Sequence, residues 1–292
     1  MLLTTKEVAA FLKVHPKHVY RLRKRGLPAH RVGDEWRFDE EEVRRHCRGG
    51  GEEAPASAAS VDRRQAAPPL LAANGDVAID VLLDEARAAG APLVGLVQVD
   101  HGGGLALLRR GAVLVAGCHG GAIPKEIADL SLVRIHVTDR EVGLAFPRGK
   151  RLQRVSAVVG RRLASRPPSA GIRAHLDAAL HAAGIDPVEA HAGGALHRSH
   201  RDVAMAVLRG EAEVGLCTRA WSVAAGLAFH PLASEPYGLV LRADDLGDPR
   251  VLALCELVQS GSYRKKLRGD LGYEPRRSGE IRVSAARAGA GR

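Results

Sequence analysis

Val94-Gly95-Leu96-Val97, the turn Asp100-His101-Gly102-Gly103-Gly104, an amphipathic segment over 105–110 and Val113-Leu114-Val115-Ala116 form the passage on which the fold reading rests. Two apolar runs too short for helices flank a segment of helical periodicity, so the passage reads strand, turn, helix, strand. The same rhythm continues on both sides. Residues 78–88 carry a helical apolar stripe, and Val133-Arg134-Ile135-His136-Val137 and Gly143-Leu144-Ala145-Phe146 read as further strands. Alternation of this kind predicts an α/β domain with a largely parallel sheet.

Upstream the composition changes. Residues 49–70 open with Gly49-Gly50-Gly51, continue through Ala and Ser and end at Pro68-Pro69, the pattern of a flexible linker. Residues 1–48 are dense in periodic signals, and the polar tail after about 281 is expected to be disordered. The predicted organisation is therefore a head over 1–48, a linker over 49–70, a larger domain over 71–280 and a tail over 281–292.

At 292 residues, two or three compact units are the prior. A hydrophobic content of 46% with only 3% aromatics means that the cores are built from Ala, Val and Leu. The net charge of +10 points only weakly to nucleic acid, because the excess of Arg over Lys and the abundance of Ala fit a genomic composition bias. Cys47, Cys118, Cys217 and Cys255 are far apart and form no CxxC pair, which argues against zinc or a disulfide framework and for a reducing compartment. No stretch is long enough to span a bilayer, so a cytoplasmic protein without membrane contact is expected.

In the head, Thr4-Thr5-Lys6-Glu7 has capping-box spacing and Val8, Phe11 and Leu12 follow on one helical face. Pro16 suits the first turn of a second helix, Val19 and Leu22 continue the stripe, and Gly26 supplies a left-handed stop. Two helices so close in sequence predict a helix-turn-helix. Residues 29–32 and 36–38 flank Gly33-Asp34-Glu35 as a hairpin or wing, and Asp39 with Glu42 repeats the capping-box spacing before a third helix. Between Phe11 and Arg31 the basic residues Lys13, Lys17, Arg21, Arg23, Lys24, Arg25 and Arg31 meet no acid. Lys17, Arg21 and Lys24 recur at helical spacing opposite Val19 and Leu22, so one face can enter a major groove while the other packs.

Leu3-Thr4-Thr5-Lys6-Glu7-Val8-Ala9, residues 14–22, residues 26–33 and Trp36-Arg37-Phe38 resemble the excisionase/MerR-type winged helix-turn-helix family. The resemblance covers nearly all of 1–48. It implies double-stranded DNA as partner, read by Lys17, His18, Tyr20, Arg21 and Lys24 of the second helix, with Arg31 and Arg37 of the wing on phosphate or minor groove. His15 stands where that family usually has a capping residue.

In the larger domain, four stretches of small or polar residues precede predicted helices: 72–76 with Asn74, 100–104 with His101, Gly103 and Gly104, 168–171 with Ser169 and Gly171, and Ser199-His200. Free N–H groups at helix starts hold anions or carboxylates. The order of features resembles a periplasmic-binding-protein-like domain of the kind fused to helix-turn-helix heads, whose best-understood members sense molybdate or tungstate. The matching stretches include 101–105, 109–111, 115–119, 165–173, 199–204, 210–216 and 227–232 with Glu235-Pro236-Tyr237. The resemblance implies an α/β two-lobe domain of type II, with crossing strands near 137–146 and 233–241, a return helix near 249–259 and a small anionic ligand in the cleft. Asn74, His101, Gly103, Gly104, Ser169, Gly171, Arg173, Ser199 and Tyr237 are the expected ligand residues. His101 replaces a Ser before the Gly pair, and Ala170 and Ile172 remove two hydroxyls. Arg173, His101 and backbone N–H groups must then compensate, or the ligand is a different one.

No nucleophile elbow, P-loop or HExxH motif is present, and His197 and His200 have no fixed third ligand for a metal, so neither catalysis nor a cofactor is expected. The reading is a one-component transcriptional regulator, working as a homodimer on paired half-sites. A C-terminal protein-interaction module and a cleft enzyme are the alternatives.

Overall fold

The computed structural model describes residues 2–12, 14, 16–23, 27–32, 35–47, 68–92 and 94–284, with the backbone alone for Leu2, Lys17, Tyr20, Arg21, Arg31, Val32, Glu35, Arg45, His46 and Cys47. Gly26, Lys24, the 33–34 turn, most of the expected linker and residues 285–292 lie outside the described residues. The chain divides into two compact units, 1–61 and 62–292.

The first unit grows from its capping box. Glu7 N donates to Thr4 Oγ1 at 3.2 Å and Thr4 N donates to Glu7 Oε2 at 2.7 Å, which starts α1 (Thr5–Phe11). α2 (Pro16–Arg23) follows with proline in its first turn. β2 (His30–Val32) and β3 (Glu35–Asp39) form the expected hairpin. A strand the periodicity did not reveal, β1 (Leu2–Thr4), pairs with the other edge of β3 and sets Leu3 opposite Phe38. Three residues are too few to display an alternation. Asp39 Oδ1 accepts from the N–H groups of Glu41 and Glu42 and starts α3 (Glu40–Cys47), while Glu42 Oε2 lies 3.0 Å from His30 Nε2. Leu3, Val8, Ala9, Val19, Leu27, Phe38 and Val43 form the core.

The second unit is two α/β lobes. Lobe one contains β4 (Leu70–Ala73), α4 (Val77–Ala88), β5 (Gly95–Gln98), α5 (His101–Arg109) and β6 (Val115–His119), with the strands parallel in the order β5-β4-β6. β7 (Leu132–Phe146) then runs into lobe two, which holds β8 (Leu163–Ser165), α6 (Gly171–Ala182), α7 (Pro187–His191), β9 (Ala195–Leu196), α8 (His200–Leu208), β10 (Val214–Thr218) and α9 (Arg219–Ala224). β11 (Ala228–Arg242) returns antiparallel to β7, and α10 (Pro249–Gln259) and α11 (Gly261–Leu267) follow it, packing on α4 of lobe one. One mixed sheet, β5-β4-β6-β11-β7-β10-β8-β9, therefore joins both lobes through its two crossing strands.

Several expectations need correction. The runs at 133–137 and 143–146 are two ends of the single 15-residue β7, since polar Thr138, Asp139, Arg140 and Glu141 between them disguise continuous strand. The sheet is mixed, not largely parallel, because a strand that leaves a lobe and one that returns must run oppositely. His101–Gly104 are the first turn of α5, held there by Asp100, whose Oδ1 accepts from Gly103 N at 2.7 Å. Leu70, placed in the linker, opens β4. Residues 281–284, placed in the tail, form β13 (Ile281–Ser284), which pairs with β7 beyond the short β12 (Tyr273–Glu274). That segment is polar in sequence, and only the open edge of β7 gives it backbone partners.

Candidate functional site

The carboxyl ends of the parallel strands of both lobes meet, the position at which open α/β sheets bind ligands. After β4, Asn74 Nδ2 lies 3.1 Å from His200 Nε2 at the start of α8, and Trp221 Nε1 of α9 donates to Gly75 O at 2.6 Å. Ser169, before α6, donates to Asp100 Oδ2 at 2.5 Å. A Cβ built on Gly171 would stand 2.8 Å from the His119 ring at the end of β6. These contacts all cross from lobe to lobe, so the cleft is closed.

At its hinge side lies a buried ionic hub. Arg140 of β7 is 1% exposed and donates to Asp76 Oδ2 at 2.6 Å and to Glu235 Oε1 at 2.6 and 3.0 Å, with its guanidinium 4.1 Å above the Tyr237 ring. Asp76 also accepts from Tyr273 OH and from Ala78 N, where it caps α4. Glu235 of β11 lies 2.8 Å from both His119 Nδ1 and His175 Nε2, and Arg140 Nη2 lies 2.9 Å from the same His119 nitrogen. Burial works to raise the Glu235 carboxyl, but Arg140 and the two histidines outweigh it and hold it well below the usual carboxylate range. The hub thus ties lobe one (Asp76, His119), lobe two (His175) and both crossing strands together.

The lobe-two wall is different in kind. Arg166, just after β8, is 1% exposed. Its Nη1 donates to His197 O at 3.1 Å, and its Nε has no partner among the described residues. Burial lowers it to about 10, with Asp100 the largest opposing charge, so it stays cationic at neutral pH. Ser165 Oγ, Thr218 Oγ1 at the end of β10 and His200 Nδ1 are likewise buried and unpartnered. β8 pairs with β9 on one side and β10 on the other, so Ser165, Arg166 and Thr218 come at the carboxyl ends of two adjacent parallel strands and His200 opens the helix that follows the third. After burial, Arg166 is the largest influence holding His200 well below its ordinary value. Buried polar groups without partners are costly unless something binds them, and this set is rich in donors.

The expected ligand residues fall into distinct groups. Asn74, His101 and Tyr237 come together in the cleft: Tyr237 OH donates to Asn74 Oδ1 at 3.2 Å, and His101 packs its ring 5.2 Å from that of His119. Ser199 caps α8, accepting from Asp202 N at 3.0 Å, and Ser169 is taken by Asp100. Gly103 and Gly104 donate their N–H groups to Asp100. The two lobe-one helix starts are thus filled by the carboxylates of Asp76 and Asp100, whereas the α6 N-cap, Ala170, makes no side-chain cap bond. Arg173 is held by Asp177 at 3.1 Å and donates to Arg166 O at 3.2 Å, so it supports the backbone that carries Arg166. Residue reading did not select Arg166, Ser165, Thr218, Arg140, Glu235 or Asp76 for the site. Arg140 lies in the polar stretch 138–141, so its burial had no signal in the local pattern. Among the described residues no group of three or more His, Cys, Asp and Glu is arranged to hold a metal, and no helix is long and apolar enough to cross a membrane.

In the first unit, Lys17, His18, Tyr20 and Arg21 lie on α2, while Val19 is fully buried and Leu22 half-buried. Arg31 and Arg37 lie on the two strands of the hairpin, Arg37 opposite His30. Arg23 stacks its guanidinium 3.9 Å over the Trp36 ring and fastens α2 to β3. Lys24 lies outside the described residues.

Residues 84–259 match the model of the PBP superfamily domain. The chain belongs to the PBP superfamily. Residues 2–50 match a helix-turn-helix domain, so this PBP-superfamily chain carries a helix-turn-helix head. It is similar to the uncharacterized protein YvgK of Bacillus subtilis (strain 168), 25% identical over 95% of this chain and 96% of that protein. Its fold resembles a substrate-binding protein attributed to a phosphate ABC transporter, with bound phosphate, from Clostridium perfringens (TM-score 0.56, 12% identity, 70% of this chain and 99% of the other). It also resembles a cysteine mutant of OxyR from Corynebacterium glutamicum (TM-score 0.51, 14% identity, 90% and 87%).

Proposed function

We propose that this PBP-superfamily chain is a cytoplasmic, one-component transcriptional regulator without catalytic activity, which senses a small anion in the interlobe cleft and binds duplex DNA through its helix-turn-helix as a homodimer. The observation that carries the reading is the set of buried, unpartnered donors on the lobe-two wall, above all Arg166 Nε, in a chain whose head matches a helix-turn-helix domain. An anion supplies acceptors to each of them, and the guanidinium matches its charge. Molybdate and tungstate are the leading candidates within that class, on the resemblance of the larger domain to sensors of these ions. Phosphate bound to the Clostridium perfringens protein of like fold fits the same chemistry.

The head supports the DNA half. On α2, Val19 is buried in the core, and Lys17 and Arg21 of the same helix, with Arg31 and Arg37 of the excisionase-like hairpin, are the residues assigned to the duplex on that resemblance. Lobe closure is the switch element.

The test measures melting of the full chain with molybdate, tungstate, sulfate and phosphate, and duplex binding against salt. At least one anion raises the melting temperature, and log K falls linearly with log salt. Arg166→Ala removes the anion response and keeps DNA binding; Arg21→Ala does the reverse. An unchanged anion response in Arg166→Ala overturns the assignment of the cleft.

A further inference from the structure

The hydrogen-bond chain ending on His200 deepens this reading of the cleft and rests on it for the nature of the ligand. Tyr237 stands on β11, Asn74 in lobe one and His200 in lobe two. Tyr237 OH donates to Asn74 Oδ1, and burial raises that phenol so far that it keeps its proton. With Oδ1 engaged as acceptor, Asn74 turns Nδ2 toward His200 Nε2 at 3.1 Å. In this orientation of the amide, Nε2 accepts and the ring proton sits on Nδ1; the opposite orientation, with Nδ2 on the Tyr237 oxygen, would put the proton on Nε2, and the spectrum below decides between the two. His200 Nδ1 is itself buried and unpartnered, as are Arg166 Nε, Ser165 Oγ and Thr218 Oγ1, and Arg166 is close enough to bear on the His200 ring electrostatically.

We propose that Asn74 and Tyr237 are positioning residues that lock His200 in the Nδ1–H tautomer, so that the closed cleft selects anions without a proton of their own over protonated ones. The two hydroxyls can turn to accept a proton; a guanidinium N–H and an imidazole N–H cannot. Because Asn74 and His200 belong to different lobes, the lock forms only on closure. The selective donor is then a property of the closed state.

The experiment uses the full chain with ¹⁵N-labelled histidine and a long-range ¹H–¹⁵N correlation, with the His200 signals assigned by their loss in His200→Gln. Native protein shows a protonated Nδ1 and a bare Nε2. Asn74→Asp replaces the donor by an acceptor and moves the proton to Nε2, and the same spectrum reports whether the fold is kept. Tyr237→Phe adds no charge and frees the amide to turn, giving a mixture of tautomers. Calorimetry at neutral pH uses sulfate and phosphate as probes. In native protein sulfate binds more tightly than phosphate by at least about tenfold, the ratio given by one unfavourable contact of about 1.4 kcal/mol. In Asn74→Asp that ratio shrinks. A protonated Nε2 in native protein overturns the proposal, as does a tautomer indifferent to Asn74→Asp or phosphate binding as tightly as sulfate. Failure of both anions to bind, with the tautomer as stated, sinks the anion reading of the cleft and leaves the lock standing.

Discussion

Arg140 holds two carboxylates, Asp76 and Glu235, where none of the three side chains reaches water appreciably. Replacing it by Leu leaves two buried charges without their cation. The expected loss is about 3–5 kcal/mol in denaturant unfolding of the second unit, followed through Trp221 in a Trp36→Phe background. A loss below about 1 kcal/mol refutes the account of the hub. The cysteines give a second test at the same scale. Burial pushes the Cys118 thiol up to about 11 and those of Cys217 and Cys255 up to about 12, so almost no thiolate exists at neutral pH. A Cys47→Ser chain reacts with a thiol reagent only after denaturation; rapid native labelling contradicts this.

Among the elements, α6 and β6 meet across the cleft. Gly171 opens α6 against the His119 ring, and a larger side chain there meets ring atoms on the opposite lobe. Gly171→Val wedges the cleft open. Small-angle scattering registers a larger radius of gyration, and the anion-dependent melting shift proposed for the cleft disappears while each lobe keeps its core. At the head, Thr4→Ala removes the α1 cap and costs roughly 1 kcal/mol. Thermal unfolding of that variant checks it. Loss on this scale is a large part of the stability of a unit this small.

For the whole molecule, acid is the expected weakness. His200, His119 and His101 are each lowered, mainly by burial, and stay neutral in the fold while the unfolded chain takes up a proton below about 6.5. The unfolded state then binds more protons, and stability falls as pH drops below that value. The slope is about 1.4 kcal/mol per pH unit for each histidine that titrates only when unfolded. Glu235, held low, keeps its contribution above about 4.5 and loses it below, so the two effects act in the same direction. Melting curves between pH 7.5 and 5 test this, and His200→Gln flattens the dependence. A stability that is constant or rising toward pH 5 contradicts it.

Local sequence was enough for the capping box at Thr4, the proline-started α2, the strand–helix alternation after Leu70 and the return helix at Pro249–Gln259, because each is written in neighbouring residues. Asn74 and Tyr237, expected as ligand residues on the resemblance, are joined by a hydrogen bond, and His101 packs beside His119. Tertiary structure alone decided the continuity of β7, the strand at Ile281–Ser284 and the occupation of the lobe-one helix starts by Asp76 and Asp100. It also decided that Arg166 keeps an unpartnered Nε while Arg173 is bound by Asp177. The physical reason is that pairing and desolvation join groups tens of residues apart, such as Asn74 with His200, and one stretch of chain cannot disclose which partner it will meet.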